Sequence, residues 1–393
     1  MKAPSRFYGS EDYLHETAAT LCGLRDFGDY NDYRVGLRVL LGSMDVDPRF
    51  TPKGRELAWG ALLLTMIARA YTEAGWKAHP EWRTAKIIKP IFILGFPRTG
   101  TTVLHKLMGA DPQFQSLEHW ITHAPMPRPP REEWPRNPAY QRALNWLNDM
   151  FDQSPDARLS HNVVVDEYEE CLELQRQNFV SNRWACSWTS PAYDAWWQTQ
   201  SEKPTFDRYA DILRLIGCHD PKRRWLLKNS GTISMLDYVF EAFPDACIIQ
   251  THRDPLKVVP SICSTVHHIH AAFEGETGAR ATAHMIGTRE LEKWAAMVER
   301  GMQLREKHES QFMDIYHADF HARPMETIGH IYDRFGLKLS ADAEDLIAAR
   351  IDRNPEGHGL HRYNLADYGL RPEEISERLN GYMKRFGFSA PAS

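Results

Sequence analysis

The stretch IFILGFPRTGTTVLHKLM, Ile91 to Met108, decides how the rest of the chain is read. Ile91, Phe92, Ile93 and Leu94 form a short apolar run between turn residues, the pattern of a parallel strand buried on both faces. Gly95 to Gly100 predicts a tight loop, in which Pro97 removes one backbone donor and Gly100 is free to take a positive φ. Thr101 and Thr102 then open a helix whose apolar positions are Val103, Leu104, Leu107 and Met108. A glycine-bearing loop that runs into a helix N-terminus aims several N–H groups at one spot, and the helix dipole adds to the pull. Such an arrangement binds anions and suits phosphate best.

The spacing Gly95-x4-Gly100-Thr101-Thr102 matches a nucleotide-binding P-loop at every position but one. Enzymes that use nucleoside triphosphates place Lys where Thr101 stands, to neutralise the β- and γ-phosphates during transfer. Here the cation sits inside the loop instead, at Arg98. The loop therefore predicts a nucleotide with less negative charge at its 5′ end, with Arg98 covering the last bridging oxygen. The plainer alternative is a Gly-Thr-Thr turn that only joins a strand to a helix.

A second informative block begins at Arg223. RRWLLKNSGT predicts a short strand over Trp225 to Leu227, with Lys228 just beyond its C-terminal end, the edge at which open parallel sheets bind ligands. A helix from Ser234 to Phe243, a strand from Ala246 to Thr251, the sequence His252-Arg253-Asp254-Pro255 and a further helix from Pro255 follow. This alternation predicts a parallel α/β sheet. Arg253 lies at the strand end and Ser261, eight positions on, lies two turns into the next helix, so both can face one phosphate. The plainer role of Arg253 is an ion pair with Asp254 or Asp237. Asp314 to Tyr316 reads as a final short strand, and Pro324 starts a helix that ends near Gly336.

The remainder reads as helical. Residues 1–88 predict a helical N-terminal region packed on the core: one helix from Ser10-Glu11-Asp12 towards Gly28, one over Tyr33 to Met44, and one started by the Thr51-Pro52 cap and running to about Gly75. Residues 89–393 predict an α/β domain with a helical insertion at about 139–220. The proline density of residues 125–138 predicts an irregular surface loop. From Asp149 to Gln200 a helical reading returns, with an acidic run (Asp166, Glu167, Glu169, Glu170, Glu173) and an aromatic cluster (Trp184, Trp188, Tyr193, Trp196, Trp197). Those aromatics are either walls of an acceptor pocket or helix-packing core.

The 393 residues carry a net charge of −5, so no global basic bias points to nucleic acid or an anionic membrane, and an anionic ligand needs a local cluster of cations. Six Cys without C-x2-C or zinc spacing predict reduced thiols and a cytoplasmic protein. MKAPSRFYGSEDYL has no apolar segment of the signal-peptide kind, and the longest apolar stretch, Ala58 to Ala68, falls well short of the ~20 residues a spanning helix needs. Oligomeric state stays open.

PRTGTT after a hydrophobic strand resembles the 5′-phosphosulfate loop of sulfotransferases that use 3′-phosphoadenosine 5′-phosphosulfate (PAPS). The chain looks most like their bacterial group, with PRTGTT, LLKSP, THRDP and G-x-HRY motifs, over nearly all of residues 1–390. The resemblance implies a P-loop-like parallel sheet flanked by helices, PAPS as co-substrate and a small hydroxyl acceptor, which the aromatic-rich middle inclines towards an apolar or lipidic compound; no acidic pair resembles a magnesium site, so no metal is expected. It implies Arg98, Thr99, Gly100, Thr101 and Thr102 as the 5′ grip, Arg253 and Ser261 on the 3′-phosphate, Arg362 in a late loop over that phosphate, and Lys228 on the sulfonate or bridging oxygen. Sulfuryl transfer also needs a base for the acceptor hydroxyl. The candidates are Glu118, His119 and His123, with His252 assigned to orienting the strand end. An imidazole serves near neutral pH, whereas a carboxylate serves only if burial lifts its pKa. Two departures bear on this choice: Trp120 is followed by Ile121 where the group often has Glu, and LLKNSGT has Thr232 where His is common. The competing functions are a P-loop small-molecule kinase, which would need Lys at position 101 and an Asp for magnesium, and a catalytically impaired nucleotide-binding protein.

Overall fold

A computed structural model describes residues 2–153, 163–352 and 364–389. Contacts divide the chain into two compact units, each interrupted in sequence. One comprises Ile87–Ser116, Lys222–Thr265 and Ala283–Ser393, and the other Met1–Lys86, Leu117–Pro221 and Val266–Thr282.

The first unit holds the sheet. Its strands are β1 (Ile91–Gly95), β2 (Phe114–Gln115), β3 (Arg224–Lys228), β4 (Cys247–His252) and β5 (Phe312–Tyr316). They lie in the order β2-β3-β1-β4-β5, and every neighbouring pair is parallel. The α/β class read from the sequence is the observed one. β1 is central and wholly buried, as its unbroken apolar run requires. Its Ile91 and Ile93 pack with Leu104, Leu107 and Met108 of the helix Thr101–Met108 and with Ile249, Ile315, Phe320 and Ile328. At roughly 1.5–3 kcal/mol for each large apolar side chain buried, this layer is the main force holding the loop's two flanks in place. Phe92 packs against Phe243 with the rings tilted, centroids 5.9 Å apart.

The strands differ in detail from the sequence reading. β3 extends one residue at each end, so Lys228 is its last residue and not the first one beyond it. β2, only two residues long, carries no periodic signal and was not expected. The helix expected from Ser234 starts as a 3-10 turn over Ser230–Met235 and becomes α-helical at Leu236–Ala242.

The second unit is helical. Helix Glu11–Cys22 ends earlier than expected, because Gly23 takes φ 74° and returns its N–H to Ala19. Helix Arg34–Val46 follows, and Pro52–Ala78 starts at the expected cap, with Thr51 Oγ1 accepting from the Gly54 N–H at 2.9 Å. Gly54 is obligatory there: a Cβ would lie 1.7 Å from the Phe273 carbonyl oxygen, to which Thr51 N–H also donates. The proline-rich stretch is not wholly irregular, since Arg131–Arg136 forms a 3-10 helix. The segment after Asp149 is more broken than expected, with short helices at Leu172–Gln175, Asn182–Ala185 and Pro191–Trp197. Trp184, Trp188, Tyr193 and Trp197 are buried in this unit's core with Trp59, Phe179 and Leu62. Their role is packing. No helix among the described residues is long and apolar enough to cross a membrane.

Candidate active site

The chain leaves β1 for the β2 side of the sheet and leaves β4 for the β5 side. The chain therefore diverges at the carboxyl ends of these adjacent strands, the position at which parallel sheets take ligands. The loop after β1 carries Arg98 and the loop after β4 carries Arg253.

Three backbone features shape the first loop. Gly95 has φ 127°, and a Cβ there would meet the Thr251 carbonyl oxygen at 2.5 Å, so glycine lets β1 and β4 close on each other. Arg98 takes φ 67° and Gly100 φ 92°. Gly100 is the N-cap of helix Thr101–Met108, and no side chain caps it. The first helical bond runs from Leu104 N–H to Gly100, so the helix itself leaves the amides of Thr101, Thr102 and Val103 unused. Thr99 is buried and fixes the loop by donating to the Phe96 carbonyl at 2.6 Å and sharing a 2.5 Å bond with Thr251 Oγ1.

The cations converge on this frame. Arg98 is exposed, and its Nε donates to Ser261 Oγ at 3.2 Å. Arg253 Nη1 donates to the Arg98 carbonyl at 2.9 Å. Lys228, buried at the end of β3, donates from Nζ to Thr102 Oγ1 at 3.2 Å. Arg98, Thr99, Gly100, Thr101, Thr102, Lys228, Arg253 and Ser261 thus belong to one continuous cluster. Asp254 caps the next helix through Leu256 N–H, and Asp237 pairs with Arg300.

His317, just past β5, also belongs to this edge and escaped the sequence reading. Its ring lies 3.7 Å from where a Gly100 Cβ would stand. Burial, reinforced by the charges of Arg253, His321 and Lys257, pushes its pKa down to about 4. The signal that could have found it is its position at the carboxyl end of a parallel strand. His252 is buried and held between Tyr382 Oη and Asp314 Oδ1, each at 2.8 Å, and burial keeps it below its ordinary pKa. These two bonds fix its ring at the end of β4. Arg362 lies outside the described residues.

The base candidates lie in the helical unit, on and just before the helix His119–His123. Glu118 is buried and accepts from Arg128 Nε at 3.1 Å. His119 is 6 % exposed, and its Nδ1 faces Glu169 Oε2 at 3.3 Å, while its Nε2 is buried without a hydrogen-bond partner. His123 stands beside it, ring centroids 4.5 Å apart. Burial, with His119 and Arg176 adding, pushes His123 well below the ordinary range. Burial works to raise the Glu169 carboxyl, but the hydrogen bond and charge of His119 outweigh it and hold it low. Glu173 is likewise held low against burial by Arg176 and Arg183. Part of the acidic run is therefore a partly buried, ionised network, in which Glu169 orients His119. The His119–Glu169 pair was invisible in sequence because its members are 50 positions apart.

Residues 90–341 match the model of the sulfotransferase family. Among solved structures, sulfotransferase STF1 from Mycobacterium tuberculosis H37Rv is 34% identical, with a TM-score of 0.85 over 96% of this chain and 100% of that one. Sulfotransferase STF9 from Mycobacterium avium is 24% identical and shares the fold, with a TM-score of 0.87 over 100% of both chains. Comparison with curated proteins gives no match.

Proposed function

This chain belongs to the sulfotransferase family, and from that premise we propose that it carries a sulfuryl group from PAPS to a hydroxyl of a small acceptor, releasing adenosine 3′,5′-bisphosphate. The observation that carries the donor assignment is the single cluster of Arg98, Arg253, Ser261 and Lys228 at the divergence of β1 and β4. The two phosphates of the donor sit on one ribose, so their partners must be close neighbours. A Lys at position 101, which a kinase would use, is replaced by Thr101.

In this reading the acceptor oxygen attacks sulfur in line, the S–O bond to the 5′-phosphate breaks, and the bisphosphate leaves. The loop amides, Thr101, Thr102 and Arg98 take up the charge that grows on the leaving phosphate. Lys228 faces the sulfonate or bridging oxygen. Arg253 and Ser261 grip the 3′-phosphate by a guanidinium fork and a hydroxyl. The acceptor proton goes to His119 Nε2. Its Nδ1–H is oriented by Glu169, which leaves Nε2 as the accepting nitrogen, whereas Glu118 is committed to Arg128.

The test is transfer of labelled sulfate from PAPS to a panel of alcohols, phenols and glycolipids, followed by mass spectrometry. Product with PAPS and none with ATP is expected. Tight binding of the bisphosphate without any product would reduce the protein to a nucleotide binder, and phosphorylated product would make it a kinase.

A further inference from the structure

The helical unit also brings together two imidazoles and a carboxylate. His79 is the C-cap of helix Pro52–Ala78, Glu81 lies in the 3-10 turn Pro80–Thr84 that follows, and His219 stands just past the end of helix Lys203–Gly217. Glu81 Oε1 is 2.9 Å from His219 Nε2 and 3.4 Å from His79 Nδ1. The two rings meet edge to face, centroids 5.4 Å apart. One ligand atom from each residue lies within 4.8 Å of the other two.

We infer that His79, Glu81 and His219 form a divalent-cation site of the zinc type. Imidazole nitrogen and carboxylate oxygen are the ligand set that zinc takes in three-ligand sites, with a fourth position left to water. Bonds of about 2.0–2.1 Å at tetrahedral angles place ligand atoms about 3.4 Å apart, the span of the Glu81–His79 contact, while the 2.9 Å Glu81–His219 hydrogen bond would open slightly to admit an ion. The donors are half-buried or exposed, which gives the ion a route in. The position favours a cation independently of the ligands. Two helices end here, and each presents the negative end of its dipole. An ion bound here would tie helix Pro52–Ala78 to helix Lys203–Gly217 at their C-terminal ends. It would stabilise the folded chain by mass action.

No residue of this site takes part in the proposed transfer, so the two readings stand or fall separately. The experiment is calorimetric titration of the full chain, stripped with chelator, with zinc chloride in a non-coordinating buffer. The unsubstituted protein should bind one ion at a site absent from the His79→Ala/His219→Ala double variant, and Glu81→Gln should bind at least about tenfold more weakly. Zinc should also raise the melting temperature of the unsubstituted chain and leave the double variant unmoved. Exposure of these side chains makes normal folding of the variants the expectation, and far-UV circular dichroism checks it. Equal stoichiometry and affinity in the double variant, or no uptake by the unsubstituted chain, would overturn the site.

Discussion

Arg98 holds a left-handed backbone conformation that a residue with a Cβ adopts at a cost, in a loop whose neighbours pin it from both sides. Its exposure means that truncation removes a charge and little packing. Arg98→Ala should therefore abolish transfer from PAPS and leave the circular dichroism spectrum and melting temperature nearly unchanged. Turnover close to the unsubstituted rate would refute the loop assignment. Arg253→Ala should weaken adenosine 3′,5′-bisphosphate by about 1.5–3 kcal/mol, the scale of a charged hydrogen bond, as read by calorimetry. His119→Ala should lower kcat by about 10²–10⁴ with bisphosphate affinity unchanged. Glu118→Gln should act on stability instead, lowering the urea midpoint, because it removes the carboxylate charge that the buried Arg128 guanidinium faces at 3.1 Å. A Glu118 variant that folds normally but has lost only its chemistry would return the base role to that carboxylate. The clustering of Arg98, Lys228, Arg253 and Ser261 was legible from sequence because these residues lie in a glycine loop, at strand ends or two turns into the helix that follows, where spacing along the chain dictates position. The choice between Glu118 and His119 was not legible, since it turns on Arg128 and Glu169, whose approach no local pattern encodes.

At the scale of the element, β1 and its neighbours were readable because a strand buried on both faces must be an unbroken apolar run. The segment after Asp149 was misread because its aromatic residues suit a helix and a packed core equally, and tertiary contacts broke it into short turns. Two glycines mark close approaches between elements. Gly54→Ala would drive a methyl group into the Phe273 carbonyl, and Gly95→Ala would do the same at Thr251 while forcing a positive φ on a side chain. Each should cost about 1–3 kcal/mol or more in denaturant unfolding. The Gly95 variant should additionally lose bisphosphate binding, because the loop begins there; retention of full affinity would show that the loop does not depend on the close approach of β1 and β4. Gly60→Ala, with no atom within 4 Å of the added methyl, is the matched control and should be neutral or mildly stabilising.

For the molecule as a whole, buried titratable groups set the response to acid. His123, His252 and His317 all sit below their ordinary pKa, so unfolded chains bind protons that folded ones refuse as pH drops beneath about 6.5. Burial raises the carboxyls of Asp314, Glu169 and Glu173, but Arg305, His119 and Arg176 respectively help to outweigh it, and all three stay low. Their contribution is complete above the unfolded carboxylate range near pH 4 and is lost below it. Urea midpoints should fall continuously from pH 7.5 to 3.5, and a flat profile would contradict the burial of these groups. The interleaving of the two units along the chain has one more consequence. On a ribosome, the N-terminal helices emerge first, yet Gly54 waits for a seat supplied by Phe273, and β1 waits for β3 and β4. Neither half can complete itself during early synthesis, and a nascent polypeptide stopped near residue 221 would expose unfinished apolar surface to chaperones and proteases.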